Sequence, residues 1–299
     1  MRSSKSTSYA RISFLFLLPL ANSVTPPPLH SYVGSTPTLD GILDLAEWSD
    51  ATLISNNISS FDAEFYAVND PLDLGVIGFV KHDEKRLYFG FNVSDNLLYY
   101  FQTSHWLPTS NPQAEELTRA GFPWFGDEIE ILINAPNTFN STFDGVTGEP
   151  GLFQMVCNAH KSRLGGMGVG GILEGEPRSS DTAWNNYQEW IYSRAIECAV
   201  HVFPPDSQGR NVYGMEWAID FTPLLQTAPN TYYNTSQGIV EMGINIAIGD
   251  VDTQDEATQY GLRHEMWLSG NTSCAGHGNC HTLLSYFGSL VMHPGGQPD

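Results

Sequence analysis

The feature that most constrains this fold is a short segment, Glu128–Asn134, in which an isoleucine stands at every second position and two of the other positions hold glutamate. On a β-strand its three isoleucines fall on one face, and Glu128 and Glu130 fall on the other. Such a strand buries its apolar face against a second layer. The segment therefore predicts a sheet with one face in the core and one polar face, which is a candidate binding surface.

Similar apolar alternation, or enrichment in aromatic and β-branched residues, recurs along the chain between turn residues. We predict strands at 86–94, 128–134, 152–157, 195–203, 213–221, 242–248 and 288–292. Many short strands predict an all-β fold, a β-sandwich of antiparallel strands in the immunoglobulin or jelly-roll manner. The best helical candidate is 111–119, and no linker divides residues 24–299, so we expect a single domain. We expect Trp48 and Trp217 to pack in its core.

The N-terminus has the pattern of a secretory signal peptide. A basic start is followed by the short apolar run 12–20 and then by small residues, which predicts cleavage after Ser23. The run is too short to span a membrane. We therefore expect residues 1–23 to be removed and the protein to be secreted into the extracellular space.

The net charge excludes several kinds of partner. Removing residues 1–23 takes away three of the 13 basic residues and none of the 33 acidic ones, which leaves a formal net charge of −23. Such a chain is repelled by nucleic acid and by anionic membranes, so we expect neither as a partner. We expect a soluble monomer with carboxylates available for calcium.

The four cysteines predict two disulfides, because an even count in a secreted protein favours pairing. Of the three possible arrangements we prefer Cys274–Cys280, within a glycine-rich loop, together with Cys157–Cys198, between two predicted strands. The alternative for the C-terminal pair is a zinc site made by Cys274, Cys280, His277 and His281.

Five Asn-X-Ser/Thr sequons are candidate glycosylation sites in a secreted protein. They begin at Asn57, Asn92, Asn140, Asn234 and Asn271.

Two local patterns carry chemistry. Trp124 lies just before the alternating strand, and a flat indole beside acidic acceptors suits a sugar, which has an apolar ring face and a rim of hydroxyls. After the strand predicted at 242–248, Asp250, Asp252 and Asp255 offer hard oxygen ligands at short spacing, which suits a structural calcium ion. An ordinary acidic turn is the alternative for that loop.

A series of short motifs extends along the chain. The residues that form them are Asp40, Gly41, Trp48, Leu87, Tyr88, Asp95, Trp124, Asp127, Glu130, Gln154, Asn158, Glu216, Ile219, Asn245, Asp250 and Trp267. In these motifs and in their order, the chain resembles family 9 carbohydrate-binding modules, which are found in secreted xylanases. The resemblance covers nearly all of the chain after residue 23, and its motifs together are moderately specific.

The resemblance implies a β-sandwich that binds sugars between two tryptophans, holds structural calcium and catalyses no reaction. Carried over by position, Trp124 and Trp267 would clamp the sugar, and Glu130 and Asn158 would bond its hydroxyls. Gln154, on the same strand as Asn158, is a further candidate contact. The chain departs from the family at Val156, where an arginine is expected, which puts the usual sugar specificity in doubt.

Three other functions stay open, and one of them is a surface interaction module whose loops hold a protein partner. A polysaccharide-active glycoside hydrolase needs a pair of carboxylates. Asp127 and Glu130 are three apart and fall on opposite faces of a strand, so the partner acid would have to come from elsewhere, such as Asp252 or Glu265. A haem-binding electron-transfer module would use a methionine and a histidine, with candidates Met155, Met167, His160 and His264.

Overall fold

The computed structural model describes residues 28–55, 62–63, 68, 73–99, 126–134, 152–159, 168–170, 194–221, 238–252, 264–268 and 287–298. Only the backbone is described at 62–63, 152–154, 158, 168–170, 264–265 and 267. Several predictions lie outside these residues: the signal peptide, the 111–119 helix, the Cys274–Cys280 pair with its zinc alternative, and the sequons at Asn57, Asn140, Asn234 and Asn271.

The described elements are thirteen β-strands in two sheets, which confirms the predicted β-sandwich. Sheet A has the order β1-β13-β11-β6-β7-β8, with β12 beside β11 and β3 beside β12. Sheet B has the order β2-β4-β5-β10-β9. The strands are β1 Leu29–Ser31, β2 Thr52–Ser55, β3 Asp62–Ala63, β4 Leu74–His82, β5 Arg86–Asp95, β6 Glu128–Asn134, β7 Leu152–Asn158, β8 Gly168–Gly170, β9 Ile196–Phe203, β10 Asn211–Asp220, β11 Val240–Asp250, β12 His264–Trp267 and β13 Gly288–Met292.

Strand pairing departs from the purely antiparallel prediction at one edge. β1 runs parallel to β13, with Leu29 opposite Leu290 and Ser31 opposite Met292. All other strand pairs of the described chain are antiparallel. The first and last described strands therefore lie side by side, which local patterning could not show because β1 is only three residues long.

The core lies between the sheets and follows the predicted alternation. Ile129, Ile131 and Ile133 of β6 face Met215 and Trp217 of β10 within one buried cluster. Trp48 is also buried, as predicted, but it packs on the opposite, outer face of sheet B, with Tyr88 and Ala218. Among the described residues, no helix has the length and hydrophobicity to cross a membrane.

The outer face of sheet B is covered by the loop that carries Trp48. The carboxylate of Glu216, on β10, accepts hydrogen bonds from the Trp48 indole nitrogen at 2.9 Å and from the Asp40 and Gly41 amides at 3.0 and 2.9 Å. Gly41 has a φ of 79°, and a Cβ there would overlap the backbone of β9, so the turn needs glycine. The Asp40-Gly41 turn and Trp48 thus belong to one loop, which covers the outer face of sheet B.

A disulfide joins the two sheets. Cys157 of β7 and Cys198 of β9 are bonded, with their Cα atoms 6.8 Å apart, which confirms one of the two predicted pairs. The cross-link closes a loop across 41 residues of sequence. It therefore ties sheet A to sheet B directly through the core.

A buried histidine also links the sheets. His82, at the end of β4, shares a hydrogen bond between its Nδ1 and the Ser31 hydroxyl of β1 at 2.8 Å. Burial lowers the pKa of His82 to about 4. A hydrogen bond with the His293 backbone and the charge of Asp83 raise that pKa by smaller amounts, and the charge of the His293 ring lowers it slightly. His82 is therefore neutral in the folded protein at physiological pH.

We expect the Cys157→Ala/Cys198→Ala double variant to lose about 2–4 kcal/mol of unfolding free energy, because the unfolded chain regains the entropy of an open loop. Urea denaturation of both proteins measures the loss. A reductant should lower the stability of the wild type by a similar amount and leave the double variant much less affected. Equal stabilities without reductant would contradict this account.

We expect the unfolding free energy to fall by up to about 3 kcal/mol between pH 6.5 and pH 4 on account of His82. Its folded pKa lies below that of the unfolded chain, so across this window the unfolded state binds the proton and the folded state does not. The difference in unfolding free energy between the wild type and His82→Gln should decrease by this amount between pH 7 and pH 4, as measured by denaturation curves. Parallel pH profiles would show that His82 is not responsible.

Candidate functional site

The outer face of sheet A brings several predicted site positions into one row. In the register of the strands, Trp267 of β12 lies opposite Ala247 of β11, Ala247 opposite Glu130 of β6, and Glu130 opposite Val156 of β7. With neighbouring strands about 4.8 Å apart, the Trp267 and Glu130 backbones are about 10 Å apart. Residues separated by more than a hundred positions in sequence thus become neighbours.

The two remaining sheet positions lie in the adjacent rows. Gln154 is in register with Leu132, and Asn158 is in register with Glu128. Only their backbones are described, as for Trp267, and Trp124 lies outside the described residues. The sheet therefore brings together four of the five predicted sugar contacts by register, all within two strands of Glu130.

The middle of this face, which was predicted as a candidate binding surface, is buried. Glu128 is fully buried and Glu130 is only 3% exposed. Val156 and Ala247, on either side of Glu130, are fully buried as well, although they lie outside the core between the sheets. Alternation assigned these residues to the correct face, but it carries no information on what covers that face.

A second set of functional groups lies at one end of the sandwich. Asp95 ends β5 in sheet B, Asp127 directly precedes β6 in sheet A, and Asp250 ends β11. Each is about 1% exposed, and one carboxylate oxygen from each lies within 4.8 Å of the others. Asp73 and Asp252 form an overlapping trio with the same Asp250. We call these five residues the carboxylate cluster.

Backbone amides hold part of the cluster in place. Asp127 Oδ1 accepts a hydrogen bond from the Val251 amide at 2.9 Å, and its Oδ2 accepts one from the Tyr99 amide at 2.5 Å. Asp95 Oδ1 accepts one from the Leu97 amide at 2.8 Å. The other oxygen of Asp95 is buried and has no hydrogen-bond partner among the described residues.

Burial and mutual repulsion make the charged state of this cluster costly. Burial and then the charge of Asp250 raise the pKa of Asp95 to about 8. Burial and then the charge of Asp95 raise the pKa of Asp127 well above its usual range. Like charges this close in a dry site need a counter-charge or protons. The donor set, oxygen only, is the chemistry that hard cations such as calcium prefer.

The cluster agrees only in part with the predicted calcium ligands. Asp250 and Asp252 belong to it, and Asp255 lies outside the described residues. Asp73, Asp95 and Asp127 were not predicted as ligands, although Asp95 and Asp127 belong to the motifs of the family resemblance. Each of the three lies at or next to the end of a strand, and this position was the signal in the sequence. Sequence alone, however, does not show which strand ends meet.

Two further predicted residues, a glycosylation site and a haem ligand, lie in the described part of the sandwich. Asn92, the sequon within β5, is half-buried and opposite Ile77 and Gly214. Met155, one of the haem candidates, is buried in the core between the sheets. It therefore faces away from the surface of sheet A that carries Glu130.

The fold is similar to that of solved carbohydrate-binding structures. A carbohydrate binding module family 9 from Caldicellulosiruptor kristjanssonii in complex with cellotriose has a TM-score of 0.51 at 13% identity, over 91% of this chain and 96% of that one. A family 9 module from the same organism in complex with glucose has a TM-score of 0.50 at 14% identity, over 90% and 97%. This chain has the family 9 fold.

A third match points the same way. A structure described as a putative carbohydrate-binding protein from Bacteroides uniformis has a TM-score of 0.50 at 13% identity, over 89% of this chain and 99% of that one. No protein-family model matches the sequence, and a search of curated proteins returned no match. The family 9 fold, rather than sequence similarity, is therefore what the comparisons establish.

Proposed function

We propose that this protein is a secreted carbohydrate-binding protein that stacks a sugar between Trp124 and Trp267. The observation that carries the proposal is the row on sheet A, in which Trp267 and Glu130 are brought within about 10 Å on a fold shared with sugar-bound modules. Trp124 precedes the same β6 strand by four residues. The two indoles would bury the apolar faces of a sugar ring.

Glu130 would lie at the bottom of this site rather than at its rim, because it is only 3% exposed. Its carboxylate can accept hydrogen bonds from sugar hydroxyls there, and Gln154 and Asn158 extend the same face along β7. Val156 supplies no charged donor where the family pattern has an arginine. We therefore expect a neutral plant-type polysaccharide, or the end of one of its chains, as the ligand.

Calcium is the second part of the proposal. Two oxygens that bind one calcium ion at about 2.4 Å can lie at most about 4.8 Å apart, and the oxygens of Asp95, Asp127 and Asp250 satisfy this limit. The buried Asp95 Oδ2, which no described group hydrogen-bonds, fits a metal ligand. Asp250 and Asp252 would share the role with Asp73, and the ion would neutralise carboxylates from both sheets and hold the ends of the strands together.

For sugar binding, we expect calorimetry to give micromolar to millimolar affinity for cellotriose or for xylo-oligosaccharides. Trp124→Ala and Trp267→Ala should each weaken binding about tenfold or more, because each removes a stacking contact worth about 1.4 kcal/mol. Glu130→Gln should weaken binding by a similar factor, because it replaces a charged acceptor by a neutral one. The matched control is Leu45→Ala, at a residue that is 71% exposed in the loop over sheet B.

Unchanged binding in both tryptophan variants would overturn this site. A wild type that binds none of these sugars would overturn the proposed function. Release of reducing sugar by the purified protein would instead establish the glycoside hydrolase alternative.

For calcium, we expect a chelator to lower the melting temperature and added calcium to restore it, with a stabilisation of about 2.7 kcal/mol at a hundredfold excess over the dissociation constant. Asp95→Asn should abolish the calcium response and should stabilise the chelated protein, because it removes a buried carboxyl that must be protonated on folding when no cation is bound. Glu84→Gln, an exposed control, should keep the full response. A full calcium response in Asp95→Asn would contradict the assignment.

A further inference from the structure

We propose that His30 and His293 form a binding site for a divalent late transition-metal ion, with Zn²⁺ as the probe, at the edge of sheet A where the first and last described strands meet. Nδ1 of His30 and Nε2 of His293 lie 2.9 Å apart. Both residues are only partly buried, and their remaining exposure lets an ion approach from solvent. Neutral imidazole nitrogens are the ligands that such ions prefer.

The spacing of the two nitrogens is close to that of two ligands on one metal. Without a metal, one ring donates its N–H to the lone pair of the other. An ion bonded to both at about 2.0–2.1 Å in tetrahedral geometry needs about 3.3 Å between the nitrogens. The rings therefore have to separate by only a few tenths of an ångström, which a small rotation of two partly exposed side chains supplies.

The backbone and a neighbouring ring hold this pair in position. His30 is opposite Val291 in the parallel β1–β13 ladder, and the His293 amide donates to the Ser31 carbonyl at 2.8 Å. The ring of Tyr32 stacks on that of His293 with centroids 4.5 Å apart and planes 15° from parallel. A site that is held in place before the ion arrives loses little entropy on binding.

The electrostatic surroundings favour a cation. Burial, and then the nearness of His30, lower the pKa of His293, so its ring keeps a free lone pair at neutral pH. Glu241 of β11 is exposed and lies opposite Val291, in the same row as His30. The described strands β1, β11 and β13 contain no lysine or arginine. His82 lies on the inner side, bonded to Ser31, and takes no part.

Two protein ligands leave positions for water, so we expect a dissociation constant of about 1–100 µM. The bound ion would link β1 to β13 and so stabilise the edge of sheet A.

Calorimetry with zinc chloride tests the zinc site. Excess calcium is present to fill the proposed calcium site in the carboxylate cluster. His30→Ala and His293→Ala should each lose one zinc equivalent or weaken it at least tenfold. His201→Ala should bind as the wild type does, since His201 stacks on Phe203 in the other sheet.

A measurement on the wild type guards against variants that do not fold. X-ray absorption at the zinc edge, with one equivalent of zinc bound, should show two imidazole nitrogens at about 2.0 Å. Zinc should also raise the melting temperature of the wild type and should not raise that of either variant. The proposal is overturned if the wild type binds no zinc, if both variants keep the stoichiometry and the affinity of the wild type, or if only one of them loses the ion or binds it more weakly.

Discussion

The interaction on which the rest of the structure depends is the buried carboxylate of Glu216. Its two oxygens collect three donors from one loop: the indole of Trp48 and the amides of Asp40 and Gly41. Removing such an acceptor would leave buried donors unpaired, which costs more than the bonds contribute when made. The loop therefore stays on the outer face of sheet B. That face is closed over β9 and β10, which leaves the outer face of sheet A for the proposed ligand site.

The end of the sandwich near Asp127 combines repulsion with a covalent tie. Asp95, Asp127 and Asp250 bring three buried carboxylates from both sheets to one point, an arrangement that pushes the strand ends apart unless protons or a counter-charge neutralise it. Cys157 is in register with Ile129, two residues beyond Asp127, so the disulfide to Cys198 ties the sheets near the same end. Packing alone does not have to resist the repulsion there. An end of this kind can respond to a cation while the core stays closed.

The fold was predictable where one strand carries its own evidence. β6 and β13 begin and end at the predicted residues, and in β6 the alternation of acidic and apolar residues marks both faces. β4 was not predicted, since Gly75 and Gly78 interrupt its apolar pattern, and Gly78 is needed where a Cβ would press on the ring of Phe91. The four-residue β12 exists only through its pairing with β11 and β3. Three members of the carboxylate cluster, Asp73, Asp95 and Asp127, escaped prediction for the same reason: they meet Asp250 and Asp252 by topology, over a span of nearly 180 residues.

The valine in place of the expected arginine also has a physical meaning in the row on sheet A. Val156 and Ala247 flank Glu130 on the two neighbouring strands, and both are fully buried. The carboxylate thus lies between two apolar neighbours, which offer contact to C–H surface but no hydrogen bond from their side chains. A ligand with hydroxyl donors and an apolar ring face matches this surface, whereas a carboxylate-bearing sugar would bring a like charge towards Glu130. For the proposed sugar ligand, the substitution would therefore favour neutral sugars over negatively charged ones.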